Sequence, residues 1–332
     1  MKRKIFIGIL IIGSLLMCGC GKKDEQDVLK DLTKKIEETK GYHLTGDLEI
    51  VNNEDTYTYD VEASYSKEEN FKVSLKNKTN NHEQIILRNS EGIFVLTPSL
   101  NKSFKFQSEW PYNNSQSYLL QPILKDIEND KEHTYKETKS GYLFTTTVNY
   151  SSNPELVKQE ITFDKKLNIQ KVVVYNKEDQ AMITMKFDEV DMDSTFKDSY
   201  FSLKTNMSGK NTEISKPTSK LEDIIYPMYI PENTTLTSQD KVDKEDGERI
   251  ILTFDGDNPF MLVQETSSYS EDMETIPMYG DPEIMADSVA AVSDTSITWI
   301  SNGVEYYVVS ETMKSDELLN VARSISALPV GK

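Results

Sequence analysis

Strict two-residue alternation governs most of this chain. Tyr57, Tyr59, Val61, Ala63 and Tyr65 fall on one side of an extended backbone, and Phe71, Val73 and Leu75 fall on one side of the next. Only a pleated strand brings every second residue to one face, so each run belongs to a sheet with one buried side. The pattern recurs in Ile93 to Leu96, Phe104 with Phe106, Tyr142 to Tyr150, Val157 to Phe163, Ile169 to Tyr175 and Ala181 to Phe187. Turn-rich stretches (Lys76 to Asn81, Asn89 to Gly92, Pro98 to Lys102) separate the runs, as an antiparallel meander of roughly ten strands requires. Composition agrees: 17 Tyr and 12 Phe suit strands, and seven Ala are few for a helical protein.

Two helical segments interrupt the alternation. Val28, Leu29, Leu32 and Ile36 have helical spacing over Val28 to Lys40, with Gly41 as the C-cap. Tyr118, Leu119, Ile123, Leu124 and Ile127 repeat that spacing and are broken at Pro122, so Ser115 to Asn129 reads as a lid loosened at the proline. Thr205 to Ser219 has linker composition. Beyond it, Ile250 to Phe254, Phe260 to Gln264, Ile297 to Ile300 and Tyr306 to Val309 read as strands. Ser315 caps a final helix with Leu318, Leu319, Ala322, Ile325 and Leu328 inward. The fold class is α+β. Its parts are a signal peptide (1–19), a tether (20–27), a sheet domain (28–204), a linker (205–224) and a small α+β domain (225–332).

Lys2, Arg3 and Lys4 precede the apolar stretch Ile5 to Met17, a positively charged start and a hydrophobic core too short to span a bilayer comfortably. It runs into Leu16-Met17-Cys18-Gly19-Cys20, which resembles the bacterial lipobox. Gly19 supplies the small residue that must precede the modified cysteine, so Cys20 is the expected diacylglyceryl anchor, and the bulky Met17 disfavours Cys18. The chain has 37 Lys+Arg against 55 Asp+Glu, and losing Lys2, Arg3 and Lys4 deepens the net charge from −18 to −21. A body that acidic repels nucleic acid and anionic lipid heads, so a discrete protein partner is expected in addition to the membrane. The expected location is the extracytoplasmic face of a bacterial membrane, held by the lipid anchor.

Catalytic signals are weak. The three histidines, His43, His82 and His133, are widely separated, and no metal or cofactor site is expected. Ser99-x-x-Lys102 and Lys139-Ser-Gly141 match two elements of penicillin-binding proteins, but Ser99 follows Pro98 in a turn where that reaction needs a buried helix start. Asp255-Gly-Asp-Asn258 offers alternate oxygens for calcium and equally a hairpin turn. No catalytic residue is assigned. Tyr57, Tyr59, Val61, Tyr65, Phe71 and Val73 either pack a core or line a hollow able to take an acyl chain. Trp110 and Tyr112, set among polar residues, either anchor an interface or plug one end of the sheet.

The block ILRNSEGIFVLTPSLNKSFKFQSEWP (Ile86 to Pro111) with NNSQSYLLQPILKDI (Asn113 to Ile127) resembles the LolA-like sporulation lipoproteins of endospore-forming Firmicutes, within the LolA/LolB-like superfamily. The clostridial germination lipoproteins are related members. The resemblance covers about residues 1–210 and implies an antiparallel half-barrel closed by helices. It also implies a membrane-anchored, non-enzymatic accessory protein of spore cortex formation or germination, with a cortex amidase as candidate partner. The alternative is a carrier of a lipid or lipoprotein acyl chain in the concave face. YPMYIPENTTL (Tyr226 to Leu236) and SDELLNVARSI (Ser315 to Ile325) resemble a domain that ends other Firmicute lipoproteins and anti-sigma-type proteins.

The anchor assignment is directly testable. Cys20→Ala abolishes palmitate labelling and releases the protein from membranes or leaves it unprocessed, whereas Cys18→Ser is silent. Labelling of both single variants would refute it.

Overall fold

Alternation becomes strand almost throughout. A computed structural model describes residues 24–52, 55–67, 69–108, 114–150, 153–208, 221, 224–244, 247–267, 272–285 and 287–325. Helix α1 (Glu25–Glu38) begins where the Asp24 carboxylate accepts the Asp27 N–H at 2.8 Å, and it buries Val28, Leu32 and Ile36. The chain leaves α1 in extended conformation at Thr39. Gly41 is therefore not the C-cap expected from the sequence. It opens the first strand, where a Cβ would stand 2.6 Å from the Ser194 carbonyl oxygen.

Strands β1 (Gly41–Asn52), β2 (Asp55–Ser66), β3 (Asn70–Asn77), β4 (Glu83–Asn89), β5 (Gly92–Thr97) and β6 (Lys102–Phe106) form one antiparallel meander. Helix α2 (Leu120–Asn129) follows. A second meander comprises β7 (Thr134–Glu137), β8 (Gly141–Thr147), β9 (Leu156–Asp164), β10 (Ile169–Asn176) and β11 (Ala181–Asp191). The two meanders join where β1 pairs antiparallel with β11, from His43 opposite Asp191 to Ile50 opposite Ile183. Gly46 marks a register shift in that pairing, and any Cβ there would lie 2.0 Å from the Lys186 carbonyl oxygen.

The inward faces of both meanders close on α1 and α2 in one core that includes Leu44, Leu48, Val61, Val73, Phe144, Ile161 and Val172. Ile85, Leu87, Phe94 and Leu96 point to the opposite face and are covered by Phe201, Phe196 and Tyr200 ahead of helix α3 (Leu203–Met207). Burial on both faces explains why β4 and β5 read as continuous apolar runs. Thr205 to Met207, assigned by composition to the linker, are the end of α3.

Pro122 does not break α2. It sits in the first turn, where its missing N–H has no carbonyl to bond, and it is itself buried with Leu120, Ile123, Leu124 and Ile127. The segment read as a loosened lid is part of the core. Leu119, at the N-cap, offers no side-chain cap; the Tyr42 hydroxyl donates to Gln121 Oε1 at 2.7 Å and accepts the Leu120 N–H at 3.4 Å.

A second antiparallel sheet has the order β12-β13-β14-β19-β18-β17-β16: β12 (Thr234–Lys244), β13 (Gly247–Gly256), β14 (Phe260–Thr266), β16 (Asp281–Ile284), β17 (Val289–Val292), β18 (Ser296–Ser301) and β19 (Val304–Val309). Helix α4 (Ser315–Ile325) buries Leu318, Leu319, Val321, Ala322 and Ile325 against it. One strand from this half, β15 (Glu274–Met278), leaves that sheet and pairs parallel with β6, giving the first sheet its twelfth strand.

Tyr42→Phe leaves the Leu120 N–H and Gln121 Oε1 without their phenol partner in a dry setting. The expected cost is roughly 1–3 kcal/mol in urea unfolding. A loss below a few tenths would show that α2 needs no cap.

Candidate functional site

The residues expected to line a hollow are core residues. Tyr59, Val61, Phe71 and Val73 are buried in the same cluster as Leu32 of α1 and Ile123 of α2, and Tyr57 and Tyr65 pack against it half-buried. Tyr65 stacks obliquely on Tyr42 and Phe71, with centroids 5.2 and 5.0 Å apart. Among the described residues two cavities open between the sheets, and these six residues line neither of them. Cys20, Trp110 and Tyr112 lie outside the described residues.

The larger cavity, about 130 Å³, opens between the first sheet and the second. Its apolar side comes from Leu48 and Ile50 of β1, Met182 and Ile183 of β11, and Leu156 of β9. These strands belong to it because the β1–β11 pairing sets Ile50 opposite Ile183. The facing wall is Pro282 to Ile284 on β16 and Met285 after it, with Arg323 from the last turn of α4. Asn114 to Tyr118, the approach to α2, and Tyr150 complete the polar end.

Electrostatics at that end follow from burial. Desolvation lowers the Arg323 pKa, and the Glu283 carboxylate opposes that shift. Glu283 Oε1 accepts from Asn114 Nδ2 at 3.1 Å, and the Arg323 carbonyl accepts from Asn52 Nδ2 at 3.3 Å. Burial also pushes the Tyr118 and Tyr150 phenols well above their usual range. Behind the wall, Asp126 accepts from Gln159 Nε2 at 2.6 Å, and desolvation lifts its carboxyl from 3.8 to about 6 against hydrogen bonds from Ser115 and Gln159.

Other sequence candidates stay apart. Ser99 lies in the short 3₁₀ turn Pro98–Leu100, while Lys102 Nζ donates to Ser267 Oγ at 3.2 Å and stands 3.7 Å from Glu305 Oε2. His43 on β1 has its Nδ1 2.9 Å from Ser64 Oγ, and His133, just before β7, has its Nδ1 2.6 Å from the Asp130 carbonyl. Among the described residues no three His, Cys, Asp or Glu side chains are grouped to hold a metal. Asp255 to Asn258 form the β13–β14 hairpin, with Gly256 at φ +140°.

Sequence reasoning missed Arg323, Glu283, Gln116 and Asp126. Two signals were readable. Asp126 lies three residues after Ile123 and beside Ile127 on the apolar face of α2, and Gln159 shares an inward strand face with Ile161 and Phe163. Polar residues at two inward positions point to one buried pair.

Comparison with known proteins supplies the wider context. The model of the YdcC-like sporulation protein family matches residues 1–201. The sporulation protein YdcC of Bacillus subtilis (strain 168) is 33% identical over 329 residues, covering 97% of each chain. Among solved structures, the CwlD amidase–GerS lipoprotein complex of Clostridioides difficile aligns at 20% identity, covering 53% of this chain and 98% of that one, with a TM-score of 0.30. The LolA superfamily protein NE2245 of Nitrosomonas europaea aligns at 9% identity, covering 55% and 100%, with a TM-score of 0.32.

Asp126 sets a pH dependence. The folded state holds its proton more tightly than the unfolded chain, so its contribution to stability is full below about pH 4 and is lost as the pH rises through about 6. The difference corresponds to roughly 3 kcal/mol. Asp126→Asn therefore gains up to roughly 2–3 kcal/mol at pH 8 and almost nothing at pH 4, read by urea unfolding at both values. An equal effect at the two pH values would contradict the assignment.

Proposed function

Because the chain belongs to the YdcC-like sporulation protein family, we propose that it is a membrane-anchored, non-enzymatic accessory protein acting in spore cortex formation or germination. Similarity over 97% of the chain to a sporulation protein, with the family model matching residues 1–201, is the observation that carries this reading. The Cys20 lipobox supports attachment by a diacylglyceryl group to the outer face of a cell or forespore membrane, with the two sheet units held outside the bilayer. The first sheet, with α1 and α2 on its inner face, is read as a half-barrel closed by those helices. The mature charge of −21 disfavours adhesion to anionic lipid or wall polymer and favours a discrete protein partner.

A spore cortex amidase is the first partner to test, on the sequence resemblance to clostridial germination lipoproteins. Trp110 and Tyr112 are the candidates from the sequence; among the described residues an apolar ribbon precedes β12, where Tyr226, Met228, Tyr229 and Ile230 are all exposed, Met228 at 85%. Exposed aromatic and methionine side chains in one short run are the composition of interface cores. The non-catalytic reading is supported by Lys102, whose ammonium is engaged with Ser267 and Glu305.

Deleting the gene leaves vegetative growth normal and impairs spore maturation or germination. The tagged protein captures a cortex amidase from sporulating cells, and Met228→Glu weakens that capture at least fivefold with an unchanged melting temperature. Unchanged spores in the deletion strain would sink the sporulation role, and undiminished capture by Met228→Glu would remove the ribbon from the interface.

A further inference from the structure

Among the described residues the first sheet is bounded by β15 and β7, and the second by β12 and β16. Three of these outer strands are blunted. β7 and β16 are four residues long and β15 is five, and β15 and β16 carry Pro277 and Pro282. Short length and proline are ordinary means of stopping a further strand from adding to a sheet. β12 uses neither. It runs for 11 residues without a proline, and among the described residues it pairs with β13 alone. Thr234 is buried and Ser238 half-buried; every other position is exposed, Val242 at 43%. Every second residue of such a strand turns its N–H and C=O away from its neighbour. The free side of β12 is therefore a row of backbone donors and acceptors.

Charge is the remaining guard, and its order decides what it guards against. After the register shift between Leu236 and Ser238, the strand ends in Asp240-Lys241-Val242-Asp243-Lys244. Charges of one sign would repel any copy of this strand, but here the signs invert about Val242. An antiparallel copy with Val242 on a two-fold axis sets Asp240 against Lys244 and Lys241 against Asp243, each twice. Sliding that copy by two residues puts Lys241 on Lys241 or Asp243 on Asp243. A one-residue slip turns the side chains to the wrong faces, and a parallel in-register copy puts each charge on its own kind. One register is selected. Lys241 and Lys244 also ion-pair with Glu248 and Glu265 of their own chain, and Asp240 accepts from Ser238 Oγ at 2.6 Å. An ammonium has three donors, however, and the two lysine side chains stay 54% and 36% exposed.

We propose that β12 is the contact surface for a second copy of this chain, which continues the second sheet across a two-fold axis at Val242. A strand from another protein would find the same backbone row without the matching charge order. This contact goes beyond the amidase reading and needs neither the anchor nor the ribbon Tyr226 to Ile230. Net charge opposes it, at −21 per mature copy, but that repulsion is screened beyond about 8 Å at physiological salt.

The test is sedimentation equilibrium of the full chain in detergent micelles at micromolar concentration, where a dimer is expected. Under mild oxidation Val242→Cys should run at twice the chain mass. Met261→Cys, exposed on β14 away from the edge, should stay single, with the wild-type chain as blank. Asp240→Lys separates the proposal from general electrostatics. It makes an acidic chain less negative, so repulsion between whole molecules predicts tighter association. The edge contact instead meets Lys244 with a lysine and should weaken roughly tenfold at an unchanged melting temperature. Adding Lys244→Glu to Asp240→Lys should restore the dimer. A single-chain mass at every concentration overturns the proposal, as does a Val242→Cys chain that fails to cross-link or links to a different protein. Equal or tighter association of Asp240→Lys, or a double variant that stays as weak as the single one, overturns the register.

Discussion

Strand β1 is the constraint on which the rest of the molecule depends. It pairs with β2 along its entire length, from Gly41 opposite Ser66 to Asn52 opposite Asp55, and on its other edge it meets β11. The second pairing joins residues nearly the whole first unit apart in sequence, so its closure entropy is met only by what the strand buries. Tyr42, Leu44 and Leu48 are at most 1% exposed, and such side chains contribute roughly 1.5–3 kcal/mol each when fully buried. The same strand carries the Tyr42 hydroxyl that caps α2, the Leu48 and Ile50 side chains that floor the cavity, and the Asn52 amide bonded to the end of α4. Loss of its register at Gly46 would disturb all of these together.

Much of this was legible because one buried face writes itself into a strand at a period of two. Tyr59, Val61 and Ala63 of β2 are buried and Asp60 and Glu62 between them are not, as the alternation requires. Elements without such a face were invisible. β12 is an edge strand exposed along most of its length, so its sequence carries no apolar period, and β15 and β16 each contain a proline that reads as a breaker. Gly41 and Pro122 misled for a related reason. Each residue has more than one backbone use, and the close approach of the Ser194 carbonyl or the first-turn position that decides between uses is a tertiary fact.

The candidate site was less legible than the fold. Inward aromatic residues on β2 and β3 look alike whether they fill space or border it; the choice lies with α1 and α2, which bring Leu32, Ile36, Ile123 and Ile127 onto the same face. The cavity forms instead where two separately encoded units meet. There Leu48 and Ile50 face Glu283 and Arg323, more than two hundred residues away in sequence. Spacing along one element cannot reveal a site assembled at that range.

That assembly also fixes how the site behaves. Its walls come from β1, β11, β16 and α4, so the cavity exists only while the second unit is docked on the first. Docking rests on the parallel β15–β6 pairing, on Val289, Ala291 and Ile300 buried in the core of the first unit, and on polar ties such as Gln84 Oε1 accepting the Val289 N–H at 2.7 Å and the Asn114–Glu283 bond. Desolvation of Arg323 at this boundary is opposed by the Glu283 carboxylate. Occupancy and docking are therefore thermodynamically linked: whatever binds in the cavity favours the docked arrangement by its own binding free energy, and whatever pulls β15 from β6 empties the cavity. The apolar ribbon Tyr226 to Ile230 lies on the same unit as Arg323, with the Met228 N–H bonded to the Ser324 carbonyl at 3.5 Å and the Tyr229 hydroxyl donating to Glu317. A partner seated on that ribbon bears on the helix that supplies Arg323, and through it on the cavity between the two sheets.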